Sequence, residues 1–575
     1  MKTLGLNLNR RTLFLTKPLN PGLSRIIYQL LAYKLRFILL IDILLISTSY
    51  QSENSCINQV STEQFLPVFK TNFSRRLTSV YDSASIRINK CSLEKAELIK
   101  TFYSLNGYKP VWTINNSLTG SSFELINLIE RSNYYGLNPD DYSISLIHKL
   151  KSVLQTKKNY DKQIRLRQDF ELLMTDAGFQ FMIHLNKGLD FSDTLSTNID
   201  YINSLPEYLF NSLNSNELSD KILDLQPGKI EYIRLQNALM KYLDKVAVND
   251  EVVEIPDPAK KPVKSLINAV RVLINYGYMS EFPEEIDSTY DIALKKFQRF
   301  HGLKPDGKLN KGTRKALSKS TLYRYNQIAL NLNRLRKEVE YGEHFASVNI
   351  PGYKLKIVKE SKVQKVFNVI VGKPWTPTPL ISSRIEKIIA NPYWNVPKSI
   401  ALNEILPRLK SDSSYLNRNR FKLLDKEQNS IKYSDIDWES ASANNFDYLI
   451  RQDMSRSNAL GIIKFVFPNP YRIYLHDTPN KKLFSNDTRA YSHGCVRLQN
   501  PEQFAEYLIN ENPGNHKNIY IKSLLGKGIH SEIELTEPLD IHIRYLTCEA
   551  DELNNIYFYN DIYAKDDAQI EILFN

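Results

Sequence analysis

Four cysteines in 575 residues, at positions 56, 91, 495 and 548, are too few and too scattered for a disulfide scaffold. No C-x-x-C pair occurs, so structural zinc and thioredoxin-like redox chemistry have no local support. There is no convincing internal repeat or long low-complexity tract. The N-terminal apolar run Phe37–Ile46 is too short for a confident membrane span and is interrupted by Asp42. With 42% hydrophobic, 11% aromatic and 24% charged residues, the composition argues against long disorder, collagen and a multi-span membrane protein. The length, at roughly 150 residues per domain, predicts about four folded units.

Acidic residues are missing altogether from residues 1–36, which carry seven basic side chains: Lys2, Arg10, Arg11, Lys17, Arg25, Lys34 and Arg36. The whole chain has 75 Lys and Arg against 63 Asp and Glu, a net charge of +12, so only +5 remains beyond that segment. A nucleic-acid partner is therefore not expected. The basic lead, the apolar run and the small residues Ser47-Thr48-Ser49 have the layout of an export signal, with a cleaved signal peptide and a retained membrane anchor as the alternatives for residues 1–55. The positive-inside bias leaves the long remainder outside the cytoplasm.

Residues 62–245 carry apolar residues at three- and four-residue spacing, as in Phe123-Leu125-Ile126-Leu128-Ile129, which predicts a helical domain. The charged, proline-bearing stretch 246–263 predicts a linker. Residues 264–320 give three helical segments, Leu266–Tyr276, Ser288–His301 and Lys311–Ser318, with Gly277 and Gly302 at expected helix ends. From 341 to 575 the pattern changes to strands, interrupted at about 400–457 by a polar, helix-leaning stretch that predicts an insertion lying over the sheet. The expected class is multidomain α+β.

Candidate chemistry concentrates near Cys495. Tyr471–Pro479 predicts a strand ending at a proline turn, in which Tyr474 and His476 share a face while Ile473 and Leu475 enter the core. Cys495, nineteen positions beyond His476, lies within Ser492-His493-Gly494-Cys495-Val496-Arg497. A thiol becomes an effective nucleophile when a neighbouring base or cation favours its thiolate. Gly494 allows close backbone approach, the Gly494 and Cys495 amides are candidate oxyanion donors, and Arg497 offers a fork suited to a carboxylate. Taken singly, each residue also has an ordinary reading: a buried cysteine, a packed histidine, a surface arginine or a turn glycine. A metal site built from His476, His493 and Cys495 lacks a fourth ligand and zinc-type spacing.

The run from His476 through Ser492-His493-Gly494-Cys495 resembles the signature of L,D-transpeptidases of the YkuD-like fold. Pro351-Gly352-Tyr353, Val371-Gly372-Lys373-Pro374, Asn391–Pro397 and Ala459-Leu460-Gly461 resemble the large multidomain periplasmic (YcbB-like) branch of that family, in which the insertion corresponds to a capping subdomain. Ala293–Leu303 with Asp306, Gly307 and Thr313 resembles a three-helix peptidoglycan-binding module. Gly107–Trp112 and Tyr135–Tyr142 resemble the branch's scaffold domain.

The resemblance implies a scaffold domain, a peptidoglycan-binding module and a mostly-β catalytic domain. It implies Cys495 as nucleophile and His476 as general base, with the backbone carbonyl of Asp477 orienting the base. Ser492, His493 and Gly494 would shape the loop and oxyanion site, Tyr474 and Arg497 would contact substrate, and Trp394 with Tyr393 would line the donor cleft. It implies acyl transfer between peptidoglycan stem peptides in the periplasm, with no cofactor or metal, glycan as a further partner, an association with the inner membrane if the anchor is retained, and carbapenems as covalent inhibitors. The same thioester would also serve an L,D-carboxypeptidase or protein attachment to the wall. An inert wall-binding scaffold is the reading of a different class.

Overall fold

The computed structural model describes residues 62–574 apart from 79–86, 89–90, 115–116, 157–159, 190–198, 216, 284–287, 443–444 and 513–520. The expected export segment and Cys56 lie outside the described residues. The chain divides into two compact units, residues 1–68 and 69–575. In the first, the described residues open the helix Thr62–Thr78, and the second holds the other described elements. Among the described residues, no helix is long and apolar enough to cross a membrane.

The N-terminal part of the second unit is helical, with its longest helix at Tyr160–Lys187. That helix buries a carboxylate, Glu171, which accepts hydrogen bonds from the Val111 amide at 2.8 Å, the Trp112 amide at 3.0 Å, the Thr113 hydroxyl at 2.8 Å and the Tyr103 hydroxyl at 2.9 Å. Burial pushes its pKa up while these donors oppose the shift. One acidic side chain thus anchors the Gly107–Trp112 stretch, and Trp112 itself is fully buried.

The helices Pro262–Asn275, Ser288–Phe300 and Lys311–Leu317 close around Ala269, Leu273, Leu294, Phe297 and Leu317. Gly277 and Gly302 have positive φ just beyond the first two helices, as expected of helix ends. Gln298, fully buried, donates to Asp306 Oδ1 at 3.0 Å, the Lys308 carbonyl at 3.0 Å and Thr313 Oγ1 at 3.1 Å, and accepts from the Gly307 amide at 2.9 Å. The polar residues that mark this module in the sequence therefore hold its own loop together.

A helix at Thr321–Lys337 falls between the expected domains. Its buried polar residues are paired on both sides. Arg336 donates to the Leu185 carbonyl at 3.0 Å and the Tyr232 hydroxyl at 2.7 Å, while Gln327 donates to the Thr547 carbonyl at 3.0 Å. Asn331 exchanges hydrogen bonds with Thr547 at 2.9 Å in each direction. Its apolar residues Ile328, Leu332 and Leu335 share one core with Tyr232, Leu235 and Leu239 of helix Ile230–Lys245 and with Leu546, Cys548 and Phe558. Each large apolar side chain so buried contributes about 1.5–3 kcal/mol. Arg544 reinforces the junction, pairing with Glu231 at 2.9 Å and Glu338 at 2.8 Å.

The C-terminal part is built on a nine-stranded sheet: β1 (His344–Asn349), β2 (Lys354–Lys359), β3 (Lys362–Gly372), β4 (Ile381–Ala390), β5 (Ile463–Val466), β6 (Leu475–His476), β7 (Ala490–Ser492), β8 (Val496–Leu498) and β9 (Ser531–Arg544). The order is β7-β3-β8-β6-β5-β4-β9-β1-β2, and β2 also pairs with β3, so eight strands form a ring with β7 attached to β3. Closure is possible because β3 is eleven residues long: its earlier residues pair with β2 and its later ones with β8 and β7. Inside lie Val369, Ile388, Phe465, Leu475, Val496 and Ile541.

Between β4 and β5 stands a smaller layer with its own core, including Ala401, Leu409, Phe421 and Ile450. It contains four strands, Trp394–Asn395, Phe421–Leu424, Ser430–Ile431 and Leu449–Gln452, where the sequence pattern predicts a helix-leaning insertion without strand periodicity. Strands of two to four residues are too short for alternation to register. This layer also begins earlier in the chain, because Trp394 pairs with Gln452.

Candidate active site

Two short strands place the chemistry. β6 and β8 run parallel, with Leu475 opposite Val496 and His476 opposite Arg497, and the Val496 amide donates to the Tyr474 carbonyl at 3.1 Å. Side chains alternate, so Leu475, Val496 and Leu498 enter the core while Tyr474, His476, Cys495 and Arg497 share the outer face. The expected strand over Tyr471–Pro479 is shorter in the structure. Arg472 is left-handed at φ 56, and the Asn469 side chain takes the place of a ladder partner, accepting from the Ile473 amide at 2.9 Å and donating to the Ile473 carbonyl at 2.8 Å.

Cys495 is a half-buried free thiol. Burial pushes its pKa above the ordinary cysteine value, opposed by hydrogen bonding from the Tyr474 backbone and hydroxyl and by the positive charges of Lys464 and Arg497. The Tyr474 hydroxyl also interacts with the Trp394 side chain, which brings an aromatic residue of the smaller layer to the thiol. Tyr393, the neighbouring candidate, lies instead on the surface between Arg451 and His530.

His476 is 5% exposed, and its ring centroid is 5.6 Å from that of Tyr474. Burial lowers its pKa to about 3, with Arg497 and Lys464 pushing the same way and the backbone of Asp477 and Leu460 opposing. Its Nδ1 has no hydrogen-bond partner among the described residues. The imidazole is thus neutral at physiological pH, which is the form a general base requires. The Asp477 carboxylate has other partners: it accepts from the Ile462 amide at 3.1 Å and pairs with Lys481. Gly461, at φ +63, packs so closely against that carboxylate that a side chain there would collide with it.

The loop before Cys495 is clamped. The Thr378 hydroxyl donates to the Gly494 carbonyl at 2.7 Å and accepts from the Gly372 amide at 2.9 Å. Tyr563 closes the other side, donating to the Gly372 carbonyl at 2.9 Å and accepting from the Thr378 amide at 3.0 Å. Gly494 has φ +117, a conformation favouring glycine. Its amide donates to Ser492 Oγ at 3.2 Å, and the Ser492 carbonyl accepts from the Lys373 amide at 3.0 Å. His493 turns outward and pairs with Glu404 of the smaller layer at 2.5 Å.

Sequence reasoning named Cys495, His476, Tyr474 and Arg497, and these share one face; Ser492, Gly494 and Asp477 support the loop and turn beside it. It missed Lys464, Thr378 and Glu404. Lys464 stands opposite His476 across the β5–β6 ladder, with its ammonium nitrogen 4.1 Å from the centre of the Tyr474 ring. Finding it required the strand register, which no local motif supplies.

A closed strand ring bearing a cysteine and a neutral histidine on one face fits an acyl-transfer domain, and residues 343–514 match the L,D-transpeptidase catalytic domain of the YkuD family. Residues 97–239 match the scaffold domain and residues 264–317 a domain described as "Putative peptidoglycan binding domain". The chain thus has a multidomain α+β architecture in which separate regions match the YkuD L,D-transpeptidase catalytic domain, a scaffold domain and a peptidoglycan-binding domain. A protein of Haemophilus influenzae named "Putative L,D-transpeptidase" is 35% identical over 242 residues, covering 42% of this chain and 48% of that one, so the chain spans about half the length of that curated relative. The crystal structure of Mycobacterium tuberculosis L,D-transpeptidase 1 is 13% identical and covers 35% of this chain and 61% of the other at a TM-score of 0.15, too low to carry an argument.

Proposed function

We propose that the protein is a peptidoglycan L,D-transpeptidase acting outside the cytoplasm, with Cys495 as nucleophile and His476 as base. The observation that carries this reading is the shared outer face of β6 and β8, where the thiol, the neutral imidazole, the Tyr474 hydroxyl and the Arg497 guanidinium converge. As a tetrapeptide stem binds, the Cys495 proton passes to His476 while sulfur attacks the carbonyl of the third residue. The carbon–nitrogen bond to the terminal D-amino acid breaks, and its nitrogen takes the proton from His476. An amine of a second stem then attacks the thioester, gives its proton to His476, and releases the thiol, leaving a cross-link between third residues. The Cys495 amide is the better placed oxyanion donor, because that of Gly494 already donates to Ser492 Oγ. Arg497 and Tyr474 contact the donor, Trp394 lines its cleft, and Asp477 acts on the base through its backbone. Wall glycan is the second partner, the N-terminal segment links the enzyme to the inner membrane if it is retained, and carbapenems acylate Cys495.

The test is incubation of the protein with purified disaccharide-tetrapeptides, reading product masses beside a Cys495→Ala control. Dimers lighter than two monomers by one terminal amino acid, absent with the variant, are the expected result. Shortened monomers alone would assign an L,D-carboxypeptidase, and products that do not depend on Cys495 would overturn the reading. With a lysine-bearing protein as acceptor, the same experiment detects attachment to the wall.

A further inference from the structure

Across the outer face, one register row runs Arg497 on β8, His476 on β6, Lys464 on β5, Ile389 on β4 and Glu532 on β9. The base therefore stands between two cations. Lys464 and Arg497 are both half-buried, and neither has a carboxylate at ion-pair distance among the described residues. The nearby acids are engaged elsewhere: Glu532 with Lys387 at 2.7 Å, Asp477 with Lys481, and Glu404 with His493. Arg497 Nε is buried with no hydrogen-bond partner among the described residues. Two partly desolvated cations without counterions are costly to keep unless an anion arrives. Desolvation accordingly lowers the pKa of both.

We propose that Lys464 is a specificity-determining residue which, with Arg497, holds the free α-carboxylate of the terminal D-amino acid of the donor stem. This rests on the transpeptidase reading and names the part of the donor that the site selects. Covalent geometry supports the match. The terminal carboxylate sits one residue beyond the scissile carbonyl, about 3.8 Å in Cα spacing. The row of Lys464, His476 and Arg497 lies one side-chain repeat from Cys495, about 6.8 Å along a strand, with neighbouring strands about 4.8 Å apart. A carbonyl held at the thiol thus brings its terminal carboxylate to the cations. That negative charge would also offset the field of both cations on the imidazole and strengthen the base once the donor is seated. A stem lengthened by one residue would carry its carboxylate past the row.

The experiment measures D-amino acid release from tetrapeptide donors ending in a carboxylate or a carboxamide, using the full chain and its Lys464→Met and Lys464→Arg variants. For the wild type, the carboxamide donor should lose about ten- to a hundredfold in kcat/KM. Lys464→Met should lose a similar factor on the carboxylate donor, chiefly through KM, and little on the carboxamide donor, while Lys464→Arg keeps most of the preference. The carboxamide donor serves as an internal control for folding. Equal losses of Lys464→Met on both donors would overturn the proposal, as would a wild type indifferent to amidation. A loss that follows amidation of the third residue's side-chain carboxylate instead would move the subsite and overturn it too. A wild type that releases no D-amino acid from any stem fails the transpeptidase reading itself, a separate outcome.

Discussion

At Cys495 and His476 the resting protonation state decides how the site starts. The thiol pKa is raised and the imidazole value is lowered to about 3, so the free protein holds a neutral thiol and a neutral imidazole on one face. Only the thiolate alkylates, so the reaction of free Cys495 with iodoacetamide should be slow at pH 7 and climb about tenfold per pH unit without levelling off before the ordinary cysteine pKa is reached. His476→Gln should leave that profile unchanged while abolishing stem turnover. An alkylation plateau already reached below pH 7 would indicate a preformed thiolate and imidazolium pair. These two residues were legible in the sequence because an alternating stretch and a compact Ser-His-Gly-Cys element carry their own signal. Lys464 was not, since a lysine on a strand looks like solvent-facing polarity until the opposite strand is known.

Among the elements, the smaller layer reaches the site through Trp394 at Tyr474 and through Glu404 at His493. The Glu404–His493 pair is partly exposed, so its direct contribution to stability is about 1 kcal/mol or less. Its effect should appear in how the layer is seated. Glu404→Gln should raise the donor KM severalfold with kcat within about twofold, and hydrogen exchange across Ala401–Ser411 should quicken. A collapse of kcat at unchanged KM would assign His493 to the chemistry instead. The sequence pattern located an insertion here but not its sheet, whose strands are too short to display a period. The three helices at 262–317 were the more legible case, because apolar spacing, turn residues and helix-ending glycines agree.

For the whole molecule, the helix Thr321–Lys337 and Arg544 join the helical part to the strand ring. Arg544 is almost fully buried, and Arg544→Met leaves Glu231 and Glu338 without their cation, a change expected to cost about 3–5 kcal/mol. Because the core is common to both parts, denaturant should still unfold them in one transition, at a lower midpoint. Two separated transitions in the wild type would show that the junction is weaker than its packing implies. This helix escaped sequence reasoning because its buried surface mixes apolar residues with polar ones, Gln327, Asn331 and Arg336 being paired to partners remote in the chain.

The small three-helix module is fastened in the same way. His301 stacks on Phe558 with ring centroids 5.2 Å apart, Phe300 meets Tyr557 at 5.0 Å, and Arg324 donates to the Ala316 carbonyl at 3.1 Å. Its offset from Cys495 is consequently set by packed rings and a helix rather than by a swinging tether. If that module grips a glycan strand and the proposed transpeptidation takes place, the protein becomes a gauge: bonds would be formed at a fixed stride from the point of attachment, and the spacing of cross-links along the wall would carry the dimensions of this one protein.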